Sequence, residues 1–359
     1  MSATPIKSIL DENTRPGELA QKLDGGVLIC TACGHRCKLR PGQRGVCKVR
    51  FNEGGTLRVP FDYVGGICND PIEKKPFFHV MPGSRALSFG MLGCDFHCSY
   101  CQNWFTSQTL RDKTATEAAK RSTPSEICDL AERSSSQTVV STYNEPLITS
   151  EWAVEVFREA KARNLATGYV SNGHGTPEVL AFLRPWLDFF KIDLKGFDAK
   201  KYRRLGGNLE AVLETIRQVY AMGFWCEIVT LVVPGYNDSD RELTDIAEFV
   251  ASVSADIPWH VTAFHPDYKM TDREATPVET LLRARRRGKE AGLKFVYSGN
   301  RPGQAGNTEN TYCPACRQLV VERMGFRVLA NHLRAAGACP SCGESLPGRW
   351  EPRKTPVLH

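Results

Sequence analysis

The chain has 359 residues, 42% of them hydrophobic, enough for one large domain with appendages or two medium domains around an ordinary core. No run approaches ~18 consecutive apolar residues, and the start MSATPIKSILDENTRPG has neither the charged head nor the apolar middle of a signal peptide. A soluble globular protein is the expectation, with the cytoplasm as the expected location. The net charge of +6 is modest; Arg283, Arg285, Arg286, Arg287 and Lys289 gather much of it into one stretch that reads as a solvated helix face, so nucleic acid is not an expected partner.

Residues 1–84 form a first, glycine-rich and basic segment carrying Cys30, Cys33, Cys37 and Cys47 at C-x2-C-x3-C-x9-C spacing. Fourteen cysteines in a chain expected in a reducing compartment, eleven of them in three tight groups, read as metal ligands rather than disulfides. Four thiolates at this irregular spacing suit zinc or a second iron–sulfur cluster equally, with His35 and Cys68 as substitutes for one member. Such a small module buries little apolar surface, so a bound metal would supply its stability.

From 85 to 300, short apolar runs alternate with amphipathic stretches, the pattern of β/α units on a parallel sheet. The predicted strands are 86–92, 138–143, 166–171, 189–194, 224–233, 260–264 and 294–298. Helices fit between most of them; in 151–161, Trp152, Val156, Phe157 and Ala160 share one face. Polar residues follow the strands at Cys94, Asn144 with Glu145, Asn172, Lys195, Pro234 with Asn237, and His265. Active sites of parallel β/α folds are built on the carboxyl ends of the strands, so these residues predict one shared site.

Residues 301–359 form a third part. After the linker-like RPGQAGNTEN come the knuckles CPAC (Cys313, Cys316) and CPSC (Cys339, Cys342), separated by LVVERMGFRVLAN, which reads as a hairpin. Two such knuckles make a tetrahedral four-thiolate site, zinc first and rubredoxin-like iron second.

The loop CDFHCSYC places Cys94, Cys98 and Cys101 at C-x3-C-x2-C after an apolar run, with no fourth cysteine nearby. Each iron of a 4Fe–4S cluster ordinarily takes one cysteine, so three thiolates leave one iron open to a small chelating molecule. With Tyr100 before the last cysteine, the loop resembles the C-x3-C-x-aromatic-C signature of the radical S-adenosylmethionine (SAM) superfamily.

That resemblance implies a partial (β/α)6 barrel of α/β class, flanked by an N-terminal cysteine-rich module and a C-terminal zinc-ribbon-like module. It further implies SAM chelated to the open iron and cleaved to a 5′-deoxyadenosyl radical, with a flavodoxin or ferredoxin as reductant. YNEP at 143–146 resembles the segment contacting the SAM amino group, which points to Asn144 and Glu145, although the superfamily's glycines are replaced here. Asp193-Leu194-Lys195, VVPGYND and HVTAFHPDYKM with His265 resemble elements of the pyruvate formate-lyase activases. The implied cofactor contacts are Tyr100, Asn144, Glu145, Asn172, Asp193, Lys195 and His265. The stretch PIEKKPFFHVMPGSRALSFGMLGCDFHCSYCQNW, with YNEP and both cysteine quartets, is similar to the radical SAM member of the AmmeMemoRadiSam system. Memo-like and AMMECR1-like proteins are then the implied partners, with the substrate left open. A glycyl-radical-enzyme activase and an RNA-modifying radical enzyme are the alternatives.

Overall fold

The computed structural model describes residues 6–115 and 118–351. Seven parallel strands, Arg85–Gly90, Thr138–Ser141, Ala166–Ser171, Phe189–Asp193, Trp225–Val232, Trp259–Ala263 and Val296–Gly299, lie side by side in sequence order. Short strands rich in Val, Ile, Phe and Tyr alternate with helices, so each strand's next neighbour in the chain is also its neighbour in the sheet. An eighth strand, Gly66–Pro71, pairs antiparallel with Arg85–Gly90 and forms one edge. The sheet is therefore open, the parallel β/α arrangement that the sequence pattern predicts, with a seventh parallel strand beyond the six of the partial barrel that the resemblance implies.

Helices Pro124–Arg133, Ser150–Ala162, Pro177–Leu183, Leu209–Ala221, Asp240–Val253 and Val278–Glu290 alternate with the parallel strands. Their starts are chemically marked: Thr123 and Glu126 form a reciprocal capping box, and Asn208 and Ser239 accept backbone N–H groups of the first turn. The apolar faces of these helices and the outward-facing strand residues make one continuous core that includes Trp152, Phe157, Tyr169, Phe190 and Trp259. Among the described residues no helix is long and apolar enough to cross a membrane.

The N-terminal region contains two small antiparallel sheets, 14–16 with 51–53 and 56–60, and 20–22 with 28–30 and 38–39. It is fastened to the barrel by a buried ion pair: both guanidinium nitrogens of Arg50 reach Glu151 at 2.7 and 2.8 Å, and Nε donates to Cys30 Sγ at 3.2 Å. Gly93, just before the cysteine loop, has φ of 95°, and a Cβ there would meet Val49 at 2.9 Å; glycine lets loop and N-terminal region touch.

The C-terminal region is a three-stranded sheet (Thr311–Tyr312, Leu319–Met324, Arg327–Asn331) plus the two knuckles. It packs on the barrel through Phe78, Phe295, Tyr297, Val320, Val321 and Leu346. Arg323, fully buried, donates to the Phe78 carbonyl at 2.8 Å and lies 3.6 Å from Glu73.

Candidate active site

The cysteine loop follows the first parallel strand directly. At the end of that strand a Cβ on Gly90 would lie 2.2 Å from the Thr142 carbonyl, so only glycine allows the 142–145 segment to cross there. Tyr143 in that segment has φ of 70°, a conformation a bulky residue adopts only when its surroundings hold it. Its hydroxyl is held 3.0 Å from Lys75 Nζ.

A cavity of about 370 Å³ occupies the inner face of the sheet at the strands' carboxyl ends. Cys98, Tyr100, Cys101, Thr142 and Tyr143 line one side, and Asp193, Lys195, Lys191 and His260 another. Lys191, Asp193 and Lys195 stand at alternate positions, which the two-residue period of a strand directs to one face. Asp193 is flanked by both lysines: Lys195 Nζ is 3.1 Å away and Lys191 Nζ is also bonded to it. Burial would raise the Asp193 carboxyl, but the two ammonium groups outweigh it and hold it at about 2. Burial lowers Lys191, against the pull of Asp193. Deeper, His260 Nε2 lies 2.7 Å from Glu227 Oε2, and Glu227 also accepts the backbone N–H groups of Phe78 and His79. Phe326 of the C-terminal hairpin contributes to the cavity wall.

Behind the cysteine loop a second set of groups is wholly buried. Asp95 accepts from Asn172 Nδ2 at 2.8 Å and pairs with His174 Nδ1 at 2.9 Å. Glu145 accepts from Ser171 Oγ at 2.6 Å, the Asn172 N–H at 2.8 Å and the Leu147 N–H at 3.1 Å. Burial, with the negative Asp95 nearby, pushes the Glu145 carboxyl up to about 8. Asn144 accepts the Met91 N–H at 3.0 Å.

The residues singled out in the sequence are thus divided by the fold. Tyr100, Asp193 and Lys195 reach the cavity together with Cys98 and Cys101. Asn144, Glu145 and Asn172 do not line it; their side chains face the backbone and Asp95. His265 is exposed at the rim, its Nδ1 3.2 Å from Gln102 of the cavity wall. The sequence reading passed over Lys191, His260, Asp95 and His174. Lys191 was available as the first member of the K-x-D-x-K alternation, whereas Asp95, inside the cysteine loop, carried no spacing of its own.

The three thiols fit a cluster by chemistry. All are soft donors, Cys94 Sγ accepts the Phe96 N–H at 3.3 Å, and Cys101 Sγ sits 3.2 Å from Ser107 Oγ. Burial pushes the free Cys98 thiol up to about 12, a cost that coordination to a cationic cluster removes. In the C-terminal region, Cys313 and Cys342 lie 3.6 Å apart, as do Cys316 and Cys339, and all four sulfurs are within 4.8 Å of one another.

The sequence model described as the radical SAM superfamily matches residues 90–247, from the end of the first parallel strand through the cysteine loop and the second to fifth parallel strands. The chain carries a radical SAM domain. A 4Fe–4S cluster and SAM are the cofactors that such a domain implies. An uncharacterized protein of Methanocaldococcus jannaschii is 38% identical over 330 residues, covering 91% of this chain and 97% of the relative. A pyruvate formate-lyase-activating enzyme of Staphylococcus aureus is 26% identical over 226 residues, covering 57% of this chain and 88% of that one. A radical SAM methyltransferase structure from Sphaerobacter thermophilus aligns with 14% identity and a TM-score of 0.48, over 86% of this chain and 81% of that one.

Proposed function

We propose that this radical SAM protein generates a 5′-deoxyadenosyl radical inside the cavity and abstracts hydrogen from a small substrate held against Lys191, Lys75 and His260. The observation that carries the reading is the cavity itself: it has Cys98 and Cys101 on one wall and the Lys191–Asp193–Lys195 row on another. Cys94, Cys98 and Cys101 would hold the cluster, which would supply the electron for reductive cleavage of the SAM sulfonium. Asp193 and Lys195 orient SAM. Asn144, Glu145 and Asn172 fix the wall behind it, with Glu145 acting through Asn172 rather than by direct contact. Lys75 is neutralised by Asp70 at 2.9 Å, whereas Lys191 and Lys195 share the single carboxylate of Asp193; the one positive charge left over favours a carboxylate- or phosphate-bearing substrate.

The similarity to an activating enzyme keeps a glycyl-radical activase as the second reading. An activase must admit a loop of a protein partner, whereas here Phe326 and the C-terminal hairpin stand at the cavity wall. A role beside Memo-like and AMMECR1-like proteins rests on the sequence resemblance described above, and the C-terminal four-thiol site is proposed to hold zinc. Against RNA modification, the basic helix is internally engaged: Arg283 and Arg287 pair with Asp240 at 2.9 and 2.8 Å, and Arg285 donates to the Val296 carbonyl.

The test is an anaerobic reaction of reconstituted protein with SAM and a low-potential reductant, with and without deuterated candidate substrates. Deoxyadenosine should form with wild type and be absent when Cys94, Cys98 and Cys101 are all replaced by alanine. Deuterium should enter deoxyadenosine from a small anionic molecule; label arriving only from the backbone glycine of a protein would establish the activase reading instead.

A further inference from the structure

We propose that Cys30, Cys33, Cys37 and Cys47 hold a second 4Fe–4S cluster, placed against the back of the first, and not a structural zinc ion.

A single tetrahedral zinc ion with Zn–S bonds of about 2.3 Å forces its sulfurs to about 3.8 Å from one another. The C-terminal quartet has this compactness, with sulfurs 3.6 Å apart in two pairs. Among the described residues, neither the Cys94, Cys98, Cys101 trio nor any three of the N-terminal four gather in that way, within 4.8 Å of one another. The N-terminal thiols nevertheless face a common interior. A Cβ on Gly45 would lie 3.6 Å from both Cys37 Sγ and Cys47 Sγ, so those two thiols flank the glycine. Cys30 and Cys33 are buried beside them, with Arg50 Nε donating to Cys30 Sγ. Four convergent but spread thiols match a cluster in which each thiolate caps a different iron, and the same spread marks the trio of the radical site.

The position is equally specific. Cys33 Sγ, an Asp95 carboxylate oxygen and a His174 ring nitrogen lie within 4.8 Å of one another, and Asp95 Oδ1 is 3.8 Å from Cys94 Sγ. One buried carboxylate therefore separates the two cysteine sets. The Gly34 N–H donates to the His174 carbonyl at 2.8 Å, and Arg111 bridges the Phe96 and Val46 carbonyls at 2.8 and 2.6 Å, which ties the two loops together.

The deciding measurement counts metals and unpaired spins in two proteins, both reconstituted anaerobically with iron and sulfide. Wild type is expected to hold about eight irons per chain, and the variant Cys94→Ala/Cys98→Ala/Cys101→Ala about four. Reduced with dithionite, that variant should show the low-temperature paramagnetic resonance of a single reduced 4Fe–4S cluster, while zinc stays at one per chain. Two zinc ions per chain with no iron in the variant would overturn the proposal and leave the radical SAM assignment standing. A Cys33→Ser/Cys47→Ser variant separates the two assignments. It should keep about four irons and still bind SAM; loss of all iron there, with four retained in the first variant, would move the only cluster to the N-terminal quartet and overturn the radical-site assignment. Because the first variant leaves the quartet intact, misfolding of the second cannot hide the answer.

Discussion

His174 Nδ1 lies 2.9 Å from Asp95 Oδ2, with both side chains fully buried, and Asp95 sits between the first two cysteines of the radical SAM loop. The loop therefore depends on an imidazole delivered from beyond the third parallel strand. Asp95→Ala removes the acceptor for both His174 and Asn172 and leaves two buried donors unpaired. Breaking such a buried pair costs roughly 3–5 kcal/mol. At about 2–4 °C per kcal/mol for a large domain, the melting temperature should fall by roughly 6–20 °C. Asp95→Asn, which keeps one acceptor, should lose less. Equal melting temperatures for wild type and Asp95→Ala would remove this pair from the account of loop stability.

Glu145 offers a pH test. Its folded carboxyl is raised to about 8 by burial and by Asp95, against an ordinary value near 4.5. A group with a raised folded pKa contributes stability that is fully present below the unfolded value and is lost as pH rises through the folded one. Wild type without SAM should therefore melt at progressively lower temperature between about pH 5 and pH 8. Glu145→Gln cannot ionise, so its curve should be flatter across that window, although other groups shift both curves together. Because the Glu145 carboxyl bonds Ser171, Asn172 and Leu147 rather than lining the cavity, the same variant should keep its iron content and a SAM affinity near that of wild type at neutral pH. Parallel pH curves would show that Glu145 is ionised throughout.

Much of this arrangement is legible in the sequence because it is local. The cysteine spacings, the strand alternation and the C-P-x-C knuckles each sit within a few residues, and a period of two carries Asp193 and Lys195 to one face without further information. The edge strand Gly66–Pro71 escaped because GICNDP is poor in strand formers; it is held by pairing with Arg85–Gly90, a tertiary cause. The split between Asp193, which reaches the cavity, and Glu145, which turns away from it, was likewise invisible. Both stand at the carboxyl end of a strand, and only the placement of Ser171 and Asn172 at the neighbouring strand end draws the Glu145 carboxylate inward.

The attachment of the N-terminal region can be tested at Arg50. Its guanidinium makes two bonds to Glu151 and one to the Ile148 carbonyl, all in the interior. Arg50→Ala leaves Glu151 charged and buried, which should cost roughly 3–5 kcal/mol. Replacing both members, Arg50→Met with Glu151→Leu, should restore much of that loss, because the penalty comes from the stranded charge rather than from a missing attraction. Thermal melts of the single and double variants make the comparison; a double variant no more stable than Arg50→Ala would show that the bonds to Ile148 and Cys30 carry the attachment.

The C-terminal region raises a different question, whether it only caps the barrel or also shapes the reaction. Truncation before residue 301 cannot answer it, because Glu73 is fully buried and faces Arg323, so removing the region would strand a charge under the cavity. A single side chain is a cleaner probe. Phe326 reaches the cavity wall from the hairpin turn while remaining 43% exposed, so its removal should leave the fold intact. No cluster ligand touches that hairpin, and the SAM-orienting Asp193 and Lys195 belong to the barrel itself. Phe326→Ala should therefore leave iron content and uncoupled deoxyadenosine formation unchanged. Losing part of an aromatic contact of about 1 kcal/mol should lower deuterium transfer from substrate about fivefold at subsaturating concentration. If uncoupled cleavage falls as steeply as transfer, the hairpin supports SAM rather than substrate, and the cavity must be divided between the two molecules in another way.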